Sequence, residues 1–141
     1  MKYEEKRMNL FNVNKKYYLA HCVSSDFGMG KGIAVQFNKK FNMKSKLLKM
    51  WGNQKLDYPQ AILVDNVFNL VTKQKYYGKP TYKSIKDAIY DMSEICKQEN
   101  IKYLAMPKIG CGLDKLSWGK VREIIKESFK DIDIEILVCS L

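Results

Sequence analysis

Short apolar runs alternate along this chain with longer segments whose apolar residues recur at helical spacing. The runs are rich in aromatic and β-branched residues, which favours β-strands. Strands that alternate with helices predict an α/β layered domain with a largely buried sheet. Two of the runs flank Asp65 and Asn66 closely enough to predict a tight hairpin. The runs cover residues 17–22, 61–64, 67–71, 103–107 and 134–138.

Four segments have the spacing of amphipathic helices. One begins at Ile33, and a second is predicted over 43–51 with Leu47, Leu48 and Trp51 on one face. Two more are predicted from their N-caps and from stripes of inward-facing residues. These are Thr81 with Ile85, Ile89, Met92 and Cys96, and Ser117 with Val121, Ile124, Ile125 and Phe129.

Length and composition fit one domain over residues 1–141. No apolar run approaches the ~20 residues that cross a bilayer, and residues 1–7 are too charged for a secretory signal. We therefore expect a cytoplasmic monomer with no membrane partner. The four cysteines are scattered and His21 is the only histidine, so we expect reduced thiols and no metal site.

The formal net charge of +10 is the one strong deviation in composition. A positive field attracts anions such as nucleotides, nucleic acid and acidic proteins, so a nucleic-acid partner is possible. A solvated lysine-rich surface without a specific partner is the alternative. Several lysines lie close together and suggest a basic face, namely Lys39, Lys40, Lys44, Lys46 and Lys49.

Two loops combine a preceding strand, closely spaced glycines and a following helix. The first contains Gly28, Gly30 and Gly32, and the second contains Gly110 and Gly112. Such glycines let the backbone approach an anion, and a helix N-terminus offers unpaired N–H groups. The spacing matches neither G-x-G-x-x-G nor a Walker A loop, so each loop alone could be a structural turn. Together they suggest one phosphate-bearing ligand held between both loops.

Lys73 and Asp114 are the candidate reactive residues. Lys73 ends an apolar strand, where a lysine either extends to solvent or lines a cleft as a nucleophile with a lowered pKa. Asp114 lies near a helix start, where it could be a simple cap or an acid/base group. His21 lacks a serine partner and is more typical of a core histidine than of a catalyst.

These segments together resemble the macrodomain family, and within it the branch of terminal ADP-ribose protein glycohydrolases. The similarity runs from about residue 7 to the end of the printed sequence. The matching text is L-A-H-C-V-S at 19–24, M-G-K-G-I-A at 29–34, L-V-T-K at 70–73, K-P-T-Y at 79–82 and M-P-K-I-G-C-G-L-D at 106–114.

The resemblance implies a single macrodomain with a three-layer α/β/α fold, a mixed central sheet and an ADP-ribose cleft across the strand ends. It implies that Lys73 attacks the anomeric carbon of the distal ribose and that Asp114 assists ring opening and hydrolysis, without cofactor or metal. The implied ligand-binding residues are Asn9, Leu10, His21, Ser24, Met29, Gly30, Gly32, Ile33, Thr72, Pro107, Ile109, Gly110, Cys111, Gly112 and Leu113.

One position departs from the family pattern. The family usually has Gly-Asp before Leu-Phe, and that aspartate contacts the adenine amino group, whereas this chain has Met8 and Asn9. An asparagine carbonyl can still accept a hydrogen bond, but without a charge. The resemblance therefore leaves adenine selectivity open.

Three functions remain as hypotheses. The first is a hydrolase that removes ADP-ribose from glutamate or aspartate esters of proteins, or from O-acyl-ADP-ribose. The second removes ADP-ribose from DNA bases, which the +10 charge would suit. The third is a non-enzymatic ADP-ribose reader, which would need neither Lys73 nor Asp114.

Overall fold

A computed structural model describes residues 1–52, 56–112 and 114–141. The strands are β1 (Lys2–Arg7), β2 (Tyr18–Ser24), β3 (Gln60–Val64), β4 (Val67–Lys73), β5 (Tyr103–Met106) and β6 (Glu135–Ser140). The helices are α1 (Ile33–Phe41), α2 (Met43–Trp51), α3 (Tyr82–Gln98) and α4 (Trp118–Phe129), with one 3-10 turn at Leu10–Asn12. No helix in the described part of the chain is long and apolar enough to span a membrane.

The strands form one mixed six-stranded sheet in the order β1-β6-β5-β2-β4-β3. All neighbours pair in parallel except β3, which runs antiparallel to β4. The hairpin predicted around Asp65 and Asn66 is confirmed, because Val64 pairs with Val67 across those two residues. Asp65 has a positive φ of 54°, as a tight two-residue turn requires.

Helices cover both faces of the sheet, which confirms the predicted three-layer α/β/α architecture. One apolar core packs α3 and α4 against one face, with Ile89 and Ile125 fully buried. A second core packs α1, α2 and the 3-10 turn against the other face, with Phe37 and Leu47 fully buried. The alternation of side chains along each central strand supplies both cores.

The helices follow the sequence prediction with one correction. Thr81 caps α3 in a reciprocal capping box with Ser84, and the predicted α3 stripe is buried. Ser117 is the N-cap residue of α4, but its side chain accepts no capping hydrogen bond from the described residues. The prediction for α2 is wrong at Leu48, which is exposed while Leu47 is buried, because only Leu47 points toward the sheet.

Strand β1 was not predicted, since five of its six side chains are charged. It pairs in parallel with β6, and its Glu5 is held by α4. The Glu5 carboxylate accepts bonds from Arg122 Nε at 2.5 Å and Nη2 at 3.0 Å, and from Trp118 Nε1 at 3.2 Å. The bonds from Arg122 lower the pKa of Glu5 to about 2, so the bidentate pair persists at neutral pH.

Candidate active site

A cleft of about 660 Å³ lies at the carboxyl ends of β2, β4 and β5. Three loops build it, namely residues 25–32 after β2, 74–81 after β4 and 107–117 after β5. Parallel strands end at the same edge of a sheet, which is where ligands bind in open α/β folds. The topology therefore brings together the two glycine loops and the end of the Lys73 strand.

Lys73 and Asp114 meet inside this cleft although 41 positions separate them in the sequence. Lys73 Nζ donates to Asp114 Oδ1 at 2.8 Å, and the side chains are only 16% and 14% exposed. A carboxylate in hydrogen-bond contact with an amine can accept its proton. The cleft therefore holds an amine and a carboxylate within reach of proton exchange.

Cys22 also lines the cleft, next to this pair. Burial raises the pKa of its thiol to about 12. The thiolate is the reactive form of cysteine, so the Cys22 thiol is protonated and a poor nucleophile at neutral pH. Among residues 1–52, 56–112 and 114–141, no group of three or more histidine, cysteine or acidic side chains could hold a metal ion.

Asp26 joins the first loop to the loop that follows Lys73. Its carboxylate accepts hydrogen bonds from Ser24 Oγ, from Gly28 N at 3.2 Å and from Tyr76 N at 3.1 Å. Burial alone would raise the pKa of Asp26, but these bonds outweigh it and lower the pKa. Sequence reasoning missed this residue. The available signal was an aspartate two residues before a glycine, a pattern typical of an Asx turn.

The same two loops also touch through Gly28. A Cβ atom at this position would lie 2.7 Å from Cβ of Tyr76, closer than side chains can approach. Further along, Ser25 N donates to Lys73 O at 2.9 Å. Two walls of the cleft are therefore held at a fixed spacing around Lys73.

The cleft carries excess positive charge suited to an anionic ligand. Lys31, Lys79 and Lys108 line it and, among the described residues, form no ion pair. Helix α1 begins at the cleft behind Gly32, and the described residues supply no side-chain cap to it. Val35 N donates to Gly32 O at 3.2 Å, which leaves the N–H groups of Ile33 and Ala34 at the start of the helix to meet a phosphate.

The family model for the Macro domain matches residues 61–125. The ADP-ribose glycohydrolase OARD1 of Homo sapiens is 40% identical over 136 residues, which cover 94% of this chain and 88% of the human protein. The chain belongs to the macrodomain family.

Solved macrodomains share its fold at low sequence identity. The macrodomain of Mycobacterium tuberculosis DarG has a TM-score of 0.89 and 21% identity, covering 99% of this chain and 97% of that one. Thermosipho africanus DarTG in complex with ADP-ribose has a TM-score of 0.84 and 20% identity, covering 99% of this chain and 42% of that one. The likeness to these solved structures shows that the chain has the macrodomain fold.

Most of the residues predicted to bind the ligand line the cleft of this macrodomain together with Lys73 and Asp114. Leu113 lies outside the described residues. Asn9, Leu10, His21, Gly30, Thr72 and Cys111 do not contribute to the cleft wall. Those that do are Ser24, Met29, Gly32, Ile33, Pro107, Ile109, Gly110 and Gly112.

His21 is one of the residues predicted to contact the ligand, but its side chain points away from the cleft. Its ring is fully buried and stacks on Phe37 of α1, with centroids 3.9 Å apart and an interplanar angle of 13°. Asn69 donates its amide to backbone carbonyls, so its Oδ1 accepts from His21 Nε2 at 2.7 Å. Leu10 and Thr72 are likewise buried. These three side chains are part of the interior of the macrodomain and not of the cleft wall.

The buried histidine predicts loss of stability in weak acid. Burial lowers the pKa of His21 to about 4 from 6.5, so the unfolded chain binds a proton that the folded chain rejects. Stability contributed by neutral His21 is therefore present above pH 6.5 and lost as pH falls toward 4. Linkage gives a drop of about 2 kcal/mol in the free energy of unfolding between pH 7 and pH 5, measurable by urea titration.

The variant His21→Gln isolates this effect, because glutamine can still donate to Asn69 but does not titrate. We expect its free energy of unfolding to change much less between pH 7 and pH 5 than that of the native protein. The chain has one histidine, so no other imidazole contributes. Equal pH dependence in both proteins would contradict the assignment.

Asn9 uses its side chain locally. Its Oδ1 accepts from Phe11 N at 2.9 Å and caps the 3-10 turn. A carbonyl oxygen has two lone pairs, so one acceptor site remains for a ligand. The family aspartate would bring a second oxygen and a charge, neither of which Asn9 supplies.

The second glycine loop depends on Gly110. Its φ is +76°, and a Cβ there would lie 2.6 Å from Cδ1 of Ile85. We expect Gly110→Ala to lower the free energy of unfolding by about 2 kcal/mol, from backbone strain and overpacking together. Gly112→Ala is the matched control, because a Cβ at Gly112 meets nothing within 4 Å. Equal effects of both variants in chemical denaturation would contradict this account.

Proposed function

We propose that this macrodomain is an ADP-ribosyl hydrolase that removes mono-ADP-ribose from glutamate or aspartate esters of proteins, or from O-acyl-ADP-ribose. The contact of 2.8 Å between Lys73 Nζ and Asp114 Oδ1 carries the proposal, because it places an amine nucleophile and a proton acceptor in one cleft. Kinship with a protein named ADP-ribose glycohydrolase supports it.

The reaction proceeds in two covalent stages. Asp114 accepts a proton from the Lys73 ammonium, and the neutral amine bonds to the anomeric carbon of the distal ribose. The bond from that carbon to the carrier's ester oxygen breaks, and the carboxylate leaves with the electron pair. A carboxylate is a stable leaving group, so this step calls for no metal.

Hydrolysis then restores the enzyme. Opening of the ribose ring converts the adduct to a Schiff base between Lys73 and the sugar aldehyde. Asp114 carries the proton to the ring oxygen and later helps a water molecule to add to the imine carbon. Loss of the amine releases ADP-ribose and returns Lys73 to its pair with Asp114.

The remaining walls hold the ligand. The diphosphate lies between the loop that contains Gly32 and the loop that contains Gly110 and Gly112. Backbone N–H groups at the start of α1 and the ammonium groups of Lys31 and Lys108 neutralise its charge. These groups orient the anomeric carbon toward Lys73 and take no part in proton transfer.

The proposal also covers domain organisation and cellular setting. Residues 1–141 act as a single macrodomain, and the pairing of β1 with β6 in the same sheet as the other strands supports this. We also propose a cytoplasmic monomer whose substrate is a mono-ADP-ribosylated protein. Removal of ADP-ribose from DNA bases is the second candidate, favoured by Lys31, Lys79 and Lys108, which line the cleft and form no ion pair with the described residues.

The test uses purified protein and a substrate protein that carries glutamate-linked mono-ADP-ribose. We expect the release of free ADP-ribose, followed by chromatography. Binding of ADP-ribose without release would identify a reader instead. Release from ADP-ribosylated DNA but not from protein would establish the second candidate.

A further inference from the structure

An exposed tyrosine pair lines the cleft, three and four positions after Lys73 in the sequence. Tyr76 and Tyr77 are 55% and 74% exposed, although aromatic side chains usually bury most of their surface. Their rings meet edge to face, with centroids 5.3 Å apart at 84°. Both residues line the cleft. The proposed reaction at Lys73 uses neither.

A hydrogen-bonded turn holds the backbone of the two tyrosines in place. Gly78 N donates to Lys75 O at 2.9 Å, which closes a turn with the two tyrosines at its central positions. Asp26 holds the backbone of Tyr76 to the opposite loop at 3.1 Å. The Gly28 contact then fixes how near that loop can come. The aromatic pair is therefore set on a braced turn whose position relative to Lys73 is constrained.

The position of the turn indicates which part of the substrate it meets. It begins two residues after Lys73, the residue that bonds to the anomeric carbon in the proposed reaction. The diphosphate side of the ligand faces the glycine loops. The carrier is attached to the anomeric carbon itself, so it must leave the cleft past exposed residues of the cleft wall. Tyr76 and Tyr77 are both exposed and both line the cleft with Lys73.

Charge around the turn indicates the chemistry of the carrier. Lys31, Lys75 and Lys79 are exposed, and in the described part of the chain none of them forms an ion pair. Such a rim attracts an acidic carrier. Nucleic-acid bases stack in succession on aromatic platforms, whereas two rings at 84° cannot both present a face to adjacent bases. A polypeptide can instead pack irregular side chains against them.

We propose that the turn of residues 75–78 is the carrier-recognition element of the cleft, in which Tyr77 packs against acidic polypeptide flanking the ADP-ribosylated residue. Tyr77 is a specificity-determining residue, and Lys75 and Lys79 provide the preference for acidic flanks. The proposal rests on the hydrolase function above and goes beyond it by assigning the protein side of the substrate.

The first test compares two substrates with one reacting bond and different carriers. One is an acidic peptide with a single ADP-ribosylated glutamate, and the other is O-acetyl-ADP-ribose, which has almost no carrier. We expect Tyr77→Ala to lower the ratio of kcat/KM for peptide over acetyl substrate by about five- to tenfold, which is less than the loss of an aromatic contact at the centre of an interface because Tyr77 lies on the rim. Tyr77→Phe should retain the ratio.

Controls keep this result specific. Tyr90→Ala removes another exposed tyrosine, on α3 and away from the cleft, and should leave the ratio unchanged. A peptide with glutamines in place of its unmodified acidic residues should lose the advantage of the acidic peptide, as should the variant Lys75→Gln/Lys79→Gln. High salt should weaken the same advantage. Equal losses on both substrates after Tyr77→Ala would overturn the proposal.

A binding arm separates this proposal from the hydrolase function. In the Lys73→Ala background, affinity for the ADP-ribosylated acidic peptide is compared with affinity for free ADP-ribose, before and after Tyr77→Ala. A selective loss for the peptide supports carrier recognition even if the native protein releases nothing. A loss that occurs only with an ADP-ribosylated oligonucleotide would overturn the assignment to polypeptide.

Discussion

Replacing Lys73 with alanine is expected to reduce the release of ADP-ribose from a glutamate-linked substrate by about 10³-fold or more, equivalent to roughly 4 kcal/mol of transition-state stabilisation. The amine forms the bond to the anomeric carbon in the proposed reaction, so no neighbouring group can substitute for it. The Cys22 thiol in the same cleft stays protonated at neutral pH because burial raises its pKa. Single-turnover release measures the loss.

Lys73→Arg distinguishes nucleophilic from electrostatic action. Arginine keeps a positive charge and can still pair with Asp114, but it stays protonated and cannot form a Schiff base. We expect it to be as inactive as the alanine variant while retaining more of the native stability. Cyanoborohydride should trap an ADP-ribose adduct on the native protein alone. Arginine activity within tenfold of the native level would show that Lys73 acts only through its charge.

Replacing Asp114 with asparagine is expected to lower kcat by about 10²- to 10⁴-fold, the range typical of a lost acid/base group. Asparagine is nearly the same size and can still accept a hydrogen bond from Lys73 Nζ through its carbonyl. It can neither accept the proton of the amine nor carry that proton to the ring oxygen, so the attack and the ring opening are both unassisted. The expected pattern is a large loss in kcat with retained binding of ADP-ribose, measured by calorimetry.

A second lysine–aspartate pair serves as the matched control. Lys83 and Asp87 meet at 2.7 Å on the surface of α3, at a distance similar to that between Lys73 and Asp114. Asp87→Asn removes the same charge and should leave turnover at the native level. Comparable losses in Asp87→Asn and Asp114→Asn would mean that net charge rather than the cleft pair governs activity.

Strands and helices could be predicted from the sequence where a local pattern of apolar residues marks them. The stripe on α3 and the run 67–71 each carry their own signal, and both are buried as predicted. Strand β1 carries no such signal, because it is charged and gains its order from β6 and from the Glu5–Arg122 pair. Those partners lie more than one hundred residues away in the sequence, so a local pattern cannot predict the strand.

The candidate site could be predicted only in part. The family resemblance identified Lys73 and Asp114, but these residues are 41 positions apart, and no pattern in the sequence shows that their side chains meet at 2.8 Å. Side chains alternate between the two faces of β2, and this alternation directs His21 toward α1 and away from the cleft. Asp26 and the tyrosine pair were missed because their roles arise from contact between two loops.

The parallel pairing of β1 with β6 has a practical consequence for attaching anything to this protein. Lys2 pairs with Glu135 at the start of β6, so it lies at the amino ends of the parallel strands, opposite the cleft. Leu141 follows β6 and lies at the carboxyl ends of the strands, where the cleft opens. A tag, dye or surface linker added before Met1 would point away from incoming substrate. The same addition after Leu141 would share the substrate's side of the molecule, so immobilised assays should anchor the first residue.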